Sequence, residues 1–275
     1  MSSALGTQEQ EEKIRNELKA SKLIVVKIGS SSLSNESGSL DLKKIESLCD
    51  ELVAVKNKGV DVILVSSGAI RAGKAIMRDE NKNGEMPSLQ ALAAIGQVLL
   101  MEAYRDAMAE KGYKVAQILL TWDDFKNKRR LRNLLNTLNT LLTLDVIPII
   151  NENDTIAVDE IKFGDNDTLS ALVAKYMQAD LLVILSDVEG LFSGDPSNPD
   201  SKLISCVAKV TPEIEKLVQD SHGGFGGMAT KLKAAKVVMS SGIPMVIAKS
   251  STNKVLERIL AGENVGTLFL PEVGQ

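Results

Sequence analysis

Short apolar segments alternate with longer segments of helical periodicity along most of this chain. The apolar segments predict strands, and the amphipathic segments between them predict helices long enough to cross over a sheet. The predicted strands are residues 23–28, 61–66, 114–120, 146–150, 181–186 and 244–248. The predicted helices lie near residues 41–57, 88–111, 129–143, 167–178, 228–241 and 253–260. This alternation is typical of an α/β fold with a mainly parallel central sheet and helices on both faces.

The same rhythm continues to residues 266–270 without an internal repeat or a linker, so we expect one continuous domain from residue 22 to residue 275. Residues 1–21 are charged and helix-prone but contain few apolar side chains. We therefore predict that this segment is a tail or a peripheral helix.

Composition narrows the functional class. The chain has 275 residues, 44% of them apolar, which is enough for a large core. The net charge is −4 and basic blocks are absent, which argues against binding to nucleic acid or to anionic membranes. We find no apolar run near the roughly 20 residues of a membrane helix. The first residues also lack the apolar core of a signal peptide, so we expect a cytoplasmic protein.

The cysteine and histidine content limits the possible chemistry. Cys49 and Cys206 are far apart and neither belongs to a CxxC pair, so we interpret both as buried thiols in a reducing compartment. His222 is the only histidine, which excludes a histidine-based triad and a multi-histidine metal centre. Any acid–base catalysis would have to use aspartate, glutamate or lysine side chains.

The densest group of polar side chains follows the predicted strand 146–150. Residues 151–154 read Asn-Glu-Asn-Asp, and residues 164–167 read Gly-Asp-Asn-Asp. Ligands of open parallel sheets bind beyond the carboxyl ends of the strands, so this group predicts a substrate site. A solvated Asn/Asp turn is the simpler interpretation of either segment alone. The two segments together favour a site.

Two further segments contain lysine beside small residues. Lys27 lies in an apolar strand before Gly29 and three serines, and a buried cation there needs an anionic partner. The segment is not a Walker A loop, and a structural lysine is the alternative. Ser66 and Ser67 precede a helix, where they could cap it or present backbone donors to a ligand. Both segments are suited to binding an anion.

The segment 222–231 carries four glycines and then begins a helix. Lys231 would lie in the first turn, where a cation opposes the helix dipole, so we expect it to serve an anion. A flexible Gly-Gly loop is the alternative interpretation. Two lysines, glycine-lined donors and a carboxylate are what phosphoryl transfer requires, with Mg²⁺ sharing the neutralisation of charge. We expect Asp167 to organise Lys27 and Lys231 and not to act as a base.

These motifs together resemble the amino acid kinase family over about residues 22–270. The resemblance is carried by VVKIGSSSL at 25–33, SSGAI at 66–70, AIGQ at 94–97, QILLT at 117–121, INENDTIAVDEIKFGDND at 150–167, SDVEGLFSGDP at 186–196 and GGMATK at 226–231. The NEND and GDND pair is the most discriminating. It points to the members that phosphorylate glutamate.

The resemblance implies a three-layer αβα sandwich, with an acceptor-binding part at about 22–170 and a nucleotide-binding part at about 171–275. It implies ATP- and Mg²⁺-dependent phosphorylation of the γ-carboxylate of L-glutamate, the first step of proline biosynthesis. By this resemblance the catalytic residues would be Lys27, Lys231 and Asp167. Glutamate would be bound by Ser67, Asp154 and Asn166, supported by Asn151 and Asp165. ATP would be bound by Lys27, Gly29, Ser186, Asp187, Phe225, Gly226, Gly227, Met228, Ala229, Thr230 and Lys231.

The sequence differs from many members of the family in two respects. Phe225 replaces a threonine of many relatives, so we expect altered nucleotide affinity. Many bacterial relatives continue into a PUA domain, and we expect regulation that depends on that domain to be absent. The family also implies feedback inhibition by proline and a homo-oligomer, either a dimer that uses the helix near 88–111 or a tetramer.

Other acceptors on the same fold remain alternatives: carbamate, aspartate, N-acetylglutamate, uridylate and isopentenyl phosphate. A free amine suits the acidic and amide side chains of Asp154, Asn151 and Asn166 better than a second phosphate does. The arginines at positions 129, 130 and 132 lie on a polar helix that we interpret as solvated. A catalytically silent nucleotide sensor is the alternative from another class, and the presence of both lysines and of Asp167 argues against it.

Overall fold

The computed structural model describes residues 4–77, 85–156, 166–219 and 227–272. The strands are β1 Leu23–Ile28, β2 Asp61–Ser66, β3 Lys114–Leu120, β4 Val146–Glu152, β5 Leu181–Ser186, β6 Cys206–Val207, β7 Met245–Lys249 and β8 Thr267–Phe269. The helices are α1 Gln8–Glu17, α2 Leu42–Lys56, α3 Ala69–Met77, α4 Met86–Ala109, α5 Trp122–Lys126, α6 Lys128–Thr143, α7 Asn166–Met177, α8 Pro212–Gln219, α9 Met228–Met239 and α10 Val255–Leu260.

The strands form one sheet in the order β3-β4-β2-β1-β5-β7-β8-β6. Neighbours are parallel except for β7 and β8. Strand β1 is central, with the strands of the N-terminal half on one side and those of the C-terminal half on the other. Ligands of such sheets bind where the strand order reverses, at the carboxyl ends of the strands. The topology therefore places a site beyond β1.

The elements agree with the sequence predictions. Each predicted strand and helix is present, with ends within about two residues of those predicted, as element boundaries allow. The mainly parallel sheet with helices on both faces is confirmed. Three short elements were missed, namely α5, α8 and the two-residue β6. They are too short for a hydrophobic period to appear in the sequence.

The core has two parts, one on each face of the sheet. Ile24 and Val26 of β1 belong to the part that includes α2, α4 and α10. Val25 belongs to the other part, with α6, α7 and α9. Because side chains alternate along a strand, Lys27 points to the same side as Val25. The register of β1 therefore directs a cation toward α7 and α9.

Helices α3 and α4 pack so closely that their backbones are in contact. A Cβ atom added to Gly96 would overlap the carbonyl oxygen of Ala69, and one added to Gly73 would overlap that of Leu92. Both positions are buried in the helix–helix contact. Only glycine allows the two backbones to touch in this way, and the contact fixes α4 against the loop that follows β2.

We expect Gly96→Ala to destabilise the fold by about 2 kcal/mol, because the added methyl group forces the two helices apart. Urea unfolding measures this loss. Ala91→Ser, at an exposed position of the same helix, should change the free energy of unfolding by less than about 0.5 kcal/mol. A Gly96→Ala protein as stable as the wild type would rule out the close crossing.

The N-terminal segment forms helix α1, which begins with a capping box at Thr7. Arg15 is only 4% exposed, and its Nε donates to Glu11 Oε1 at 2.8 Å. Its guanidinium also donates to the backbone oxygens of Glu263 and Ser205, at 3.0 and 3.3 Å. The buried pair of Arg15 and Glu11 therefore anchors the helix through hydrogen bonds to residues 205 and 263.

By length and composition, α4 is apolar enough to cross a membrane. We expected no apolar run near the roughly 20 residues of a membrane helix, and the 24 residues of α4 show that this expectation is wrong by length and composition. Leu100 and Tyr104 on one face of α4 are fully buried in the core. On another face Ile95 and Val98 are exposed, Val98 to 59%. The helix thus packs on the protein on one side and leaves apolar side chains uncovered on the other.

Candidate active site

Three elements bring charged side chains together beyond the carboxyl end of β1. Lys27 is near the end of β1, Asp167 is in the first turn of α7, and Lys231 is in the first turn of α9. Lys27 Nζ lies 2.8 Å from Asp167 Oδ1, and Lys231 Nζ lies 3.4 Å from Asp167 Oδ2. Thr230 Oγ1 donates to Asp167 Oδ2 at 2.6 Å. The structure therefore supplies the anionic partner that the strand lysine requires.

This cluster is buried and carries a net positive charge. Burial alone would raise the pKa of Asp167, but the charges of Lys27 and Lys231 outweigh it and hold the pKa below its ordinary value. Burial lowers the pKa of Lys231, and Lys27 adds to that effect, while Asp167 and Asp187 oppose it. One carboxylate between two ammonium groups leaves a positive charge for an incoming anion.

Backbone donors and small residues border the cluster. A Cβ atom on Gly29 would lie 3.7 Å from Lys27 Nζ, so the chain after β1 passes close to the ammonium group. Lys231 Nζ donates to the carbonyl oxygen of Gly227 at 3.4 Å, and Thr230 Oγ1, whose proton is donated to Asp167, lies 3.0 Å from the same oxygen. The first turn of α9 thus lies against the cluster, at the helix end whose dipole favours anions.

Strand β5 adds a second group of polar side chains next to β1. Ser186 is buried at its end and donates through Oγ to Asp187 Oδ1 at 3.0 Å. Asp187 also lines a cavity of about 430 Å³ together with Ile28, Ser31 and Lys249. Because Ile28 and Leu185 of its lining pack on the α2 side of the sheet, this cavity lies on that side and is not lined by Lys27, Asp167 or Lys231. Phe225 and Gly226, which the sequence also assigned here, lie outside the described residues.

On the other side of β1, a network of buried amides joins β2, β4 and α7. Asn166 Nδ2 donates to Ser67 Oγ at 2.8 Å, to Asn151 Oδ1 at 2.9 Å and to the backbone oxygen of Ser66 at 3.0 Å. All four residues are at most 5% exposed. Ser67 is thus hydrogen-bonded to Asn166 through its hydroxyl, and the structure brings Asn166, Asn151 and Ser67 together.

Two residues of this region were not predicted. Gln97 of α4 accepts a hydrogen bond from Asn151 Nδ2 at 2.8 Å. Tyr104 Oη lies 2.8 Å from Ser66 Oγ and is fully buried. A sequence signal existed for Gln97, because it lies on the apolar face of α4, four residues after Ala93 and three before Leu100. A polar side chain on such a face needs a partner.

Two buried side-chain oxygen atoms that follow β4 or begin α7 have no hydrogen-bond partner among the residues that the structure describes. They are Asp154 Oδ1 and Asn166 Oδ1. Burial raises the pKa of Asp154 to about 6. Unpaired buried acceptors are costly, so each of these oxygens is suited to a hydrogen-bond donor from a ligand. Asp165, predicted to support the same site, lies outside the described residues.

The described part of the chain shows neither a cluster of metal-binding side chains nor a reactive thiol. It contains no group of three or more histidine, cysteine, aspartate or glutamate side chains able to hold a metal ion. Cys49 and Cys206 are free and buried, and burial raises the pKa of each thiol to about 12. Neither thiol is therefore a nucleophile at neutral pH.

The structure thus combines a doubly wound sheet, two lysines on one carboxylate and a network of buried amides. The sequence model of the Amino acid kinase family matches residues 22–249. This chain therefore belongs to the amino acid kinase family.

Within that family, curated glutamate 5-kinases are similar to the chain over nearly its whole length. The enzyme of Clostridium tetani is 51% identical over 92% of this chain and 96% of its own length. That of Clostridium perfringens is 46% identical over 95% of this chain and 100% of its own. That of Trichlorobacter lovleyi is 47% identical over 90% of this chain and 67% of its own length.

Solved structures show the same fold at lower identity. Carbamate kinase from Giardia lamblia bound to AMP-PNP has a TM-score of 0.65 and 20% identity, covering 92% of this chain and 100% of that chain. UMP kinase from Bacillus anthracis has a TM-score of 0.61 and 16% identity, covering 92% of this chain and 97% of that chain. The αβα sandwich is confirmed by these neighbours.

Proposed function

We propose that this chain transfers the γ-phosphoryl group of ATP to the γ-carboxylate of L-glutamate and forms γ-glutamyl phosphate, the first step of proline biosynthesis. The observation that carries the proposal is the Lys27–Asp167–Lys231 cluster, and the unpaired buried oxygens of Asp154 and Asn166 support the choice of an acceptor with an ammonium group. The similarity to glutamate 5-kinases at 46% to 51% identity supports the choice of acceptor.

The chemistry requires charge neutralisation and positioning more than proton transfer. The γ-carboxylate of glutamate is ionised at neutral pH, so it attacks the γ-phosphorus without a general base. Lys27 and Lys231 neutralise charge on the transferring oxygens. Asp167 holds both ammonium groups in place, and its lowered pKa keeps it ionised during turnover.

We assign ATP to the C-terminal part, about 171–275. Gly29, Ser186, Asp187 and the first turn of α9, residues 227–231, border the cluster there, and Phe225 and Gly226 are added from the sequence alone. We propose that Mg²⁺ enters with the nucleotide, held mainly by phosphate oxygens and water, because Asp167 is already paired with two lysines. Bound there, the ion would help to neutralise the phosphate charge.

We assign glutamate to the N-terminal part, about 22–170. Its α-ammonium group would donate to Asp154 and Asn166, with Ser67 and Asn151 completing the site and Asp165 added from the sequence. A cavity of about 260 Å³ lies beside Asp154. N-acetylglutamate lacks the ammonium charge that these oxygens require.

Uridylate fits the described site less well. It would need cations for its own phosphate. The three arginines of α6 are exposed, and Arg130 NH1 is paired with Asp124 Oδ1 at 3.1 Å. These arginines belong to a solvated face, as the sequence predicted.

Binding of glutamate should weaken in acid. The pKa of Asp154 is raised to about 6, so its carboxylate becomes neutral as the pH falls through that value and loses its attraction for the ammonium group. We expect kcat/KM for glutamate to fall by about tenfold between pH 8 and pH 5, whereas KM for ATP stays nearly constant. Steady-state kinetics across this range measures the effect. A flat profile would exclude Asp154 from the acceptor site.

Three further properties are proposed. Copies of the chain would associate through the apolar face formed by Ile76, Met77, Ile95 and Val98, which are exposed. Proline would inhibit by offering its own ammonium group to Asp154 and Asn166. A cytoplasmic location would agree with two free, buried cysteines. Sedimentation and inhibition by millimolar proline test the first two.

The function itself is tested by measuring ADP release from ATP and Mg²⁺ with a panel of acceptors. Glutamate should be the productive acceptor among glutamate, aspartate, carbamate, N-acetylglutamate, isopentenyl phosphate and uridylate. ADP release with a different acceptor would be consistent with the role of the lysine–aspartate cluster but would show that the acceptor site is wrongly assigned. No ADP release with any acceptor of the panel would favour a nucleotide sensor.

A further inference from the structure

Gln97 is a buried polar residue of α4 that lies outside the set of residues assigned to substrate. It is 9% exposed, and its Oε1 accepts the hydrogen bond from Asn151 Nδ2 at 2.8 Å. Asn151 in turn accepts from Asn166 through Oδ1 at 2.9 Å. A chain of amides therefore runs from α4 through β4 to the first residue of α7.

Backbone groups show which way Asn151 and Asn166 are turned in this structure. The backbone N–H of Glu152 can only donate, and it faces Asn151 Oδ1 at 2.9 Å. The backbone oxygen of Ser66 can only accept, and it faces Asn166 Nδ2 at 3.0 Å. Asn151 must therefore turn its nitrogen toward Gln97, which must present an oxygen.

The same orientation decides what Asn166 offers to a ligand. Its nitrogen is used by Ser66, Ser67 and Asn151, so its oxygen is the atom left without a partner in the described part of the chain. An amide turned the other way would present a donor and repel an ammonium group. The orientation of Asn166 thus determines whether the site accepts a cation.

Gln97 is held rigidly enough to serve this purpose. The preceding residue, Gly96, is at the contact where α4 touches the backbone of α3. Neither helix can shift toward the other without a clash, so the position of the Gln97 backbone is defined. Its side chain then reaches Asn151 from a fixed point.

We propose that Gln97 is a positioning residue for the acceptor substrate. Acting through Asn151, it holds Asn166 with its oxygen toward the α-ammonium group of the substrate. Without an acceptor at position 97, the Asn151 nitrogen is buried and unpaired, and the amide gains by turning away. This inference rests on the proposed function, because it assigns the acceptor an α-ammonium group.

The test compares Gln97→Met, which removes the acceptor oxygen at nearly constant volume, with Gln97→Glu, which keeps one. Gln97→Met should raise KM for glutamate about tenfold and leave KM for ATP within about twofold of the wild type. Gln97→Glu should recover most of this loss. Gln90→Met is the matched control, since partly buried Gln90 lies on the same helix about 10 Å earlier along its axis.

A double-mutant cycle with Asn151→Ala separates positioning from general packing. If Gln97 acts through Asn151, Gln97→Met should have no further effect on KM for glutamate in the Asn151→Ala protein. Additive effects, or an equal rise in KM for ATP and glutamate, would overturn the proposal. If the wild-type protein phosphorylates a different acceptor and not glutamate, the proposed function is wrong. That result needs no variant, so it is distinct from a failure of the Gln97 proposal.

Discussion

Asp167→Asn is expected to lower kcat by at least about a hundredfold, because it removes the charge that holds together the two ammonium groups that we propose act on the phosphoryl group. Lys27 and Lys231 lie 2.8 and 3.4 Å from the carboxylate oxygens, and the carboxylate is 1% exposed. With a neutral amide between them, the two cations repel each other in a buried site. Their ammonium groups then no longer converge on the transferring phosphoryl group.

The same substitution should destabilise the fold by about 3 kcal/mol, because it leaves buried charges without their partner. Removing one of these charges as well, in Asp167→Asn/Lys231→Met, should recover part of the stability and none of the activity. Asp123→Asn, at an exposed aspartate with a side chain 78% exposed, is the control for both measurements. An Asp167→Asn enzyme with kcat close to that of the wild type would contradict the role of Asp167.

Asp154→Asn has the second largest expected effect, a rise of about a hundredfold in KM for glutamate with little change in KM for ATP. A carboxylate that pairs with a substrate ammonium group in a buried site contributes about 3 kcal/mol, and each 1.4 kcal/mol corresponds to a factor of ten. Asp154 is 5% exposed and its Oδ1 has no partner among the described residues. Asparagine keeps the shape and removes the charge.

Steady-state kinetics with each substrate varied in turn distinguishes this effect from loss of folding. The variant should also lose the decline in kcat/KM that the wild type shows as the pH falls through about 6, since it has no carboxylate to titrate there. An equal rise in KM for both substrates would mean that Asp154 supports the structure and does not contact glutamate.

Much of this fold is predictable because its strands are buried on both faces. Residues 23–28 and 181–186 are continuous apolar runs, which a parallel sheet covered by helices requires. Lys27 interrupts one such run, and that interruption alone predicted an anionic partner nearby. Asp167 is that partner.

The remaining features depend on contacts between distant parts of the chain. Arg15 anchors α1 to residues near 205 and 263, which local sequence pattern cannot indicate. The link from Gln97 to Asn151 depends on the crossing of α3 and α4 at two glycines. Such long-range geometry follows from packing, and an amphipathic pattern gives only the face on which a residue lies.

Some residues of the proposed site are assigned from the sequence alone. Asp165, Phe225 and Gly226 lie outside the described residues, and their roles in binding glutamate or ATP stay predictions. The effect of Phe225 on nucleotide affinity can be tested directly, because Phe225→Thr introduces the hydroxyl that the family resemblance leads us to expect at this position. We expect that variant to lower KM for ATP, and an unchanged value would show that the hydroxyl is not used.

The central claim is that the carboxylate of glutamate is the phosphoryl acceptor. The most direct measurement incubates the purified protein with ATP, Mg²⁺ and glutamate in the presence of hydroxylamine, which traps an acyl phosphate as its hydroxamate. We expect γ-glutamyl hydroxamate to form in step with ADP and to be absent with the Asp167→Asn variant. ADP release with glutamate but without hydroxamate would contradict phosphorylation of the carboxylate.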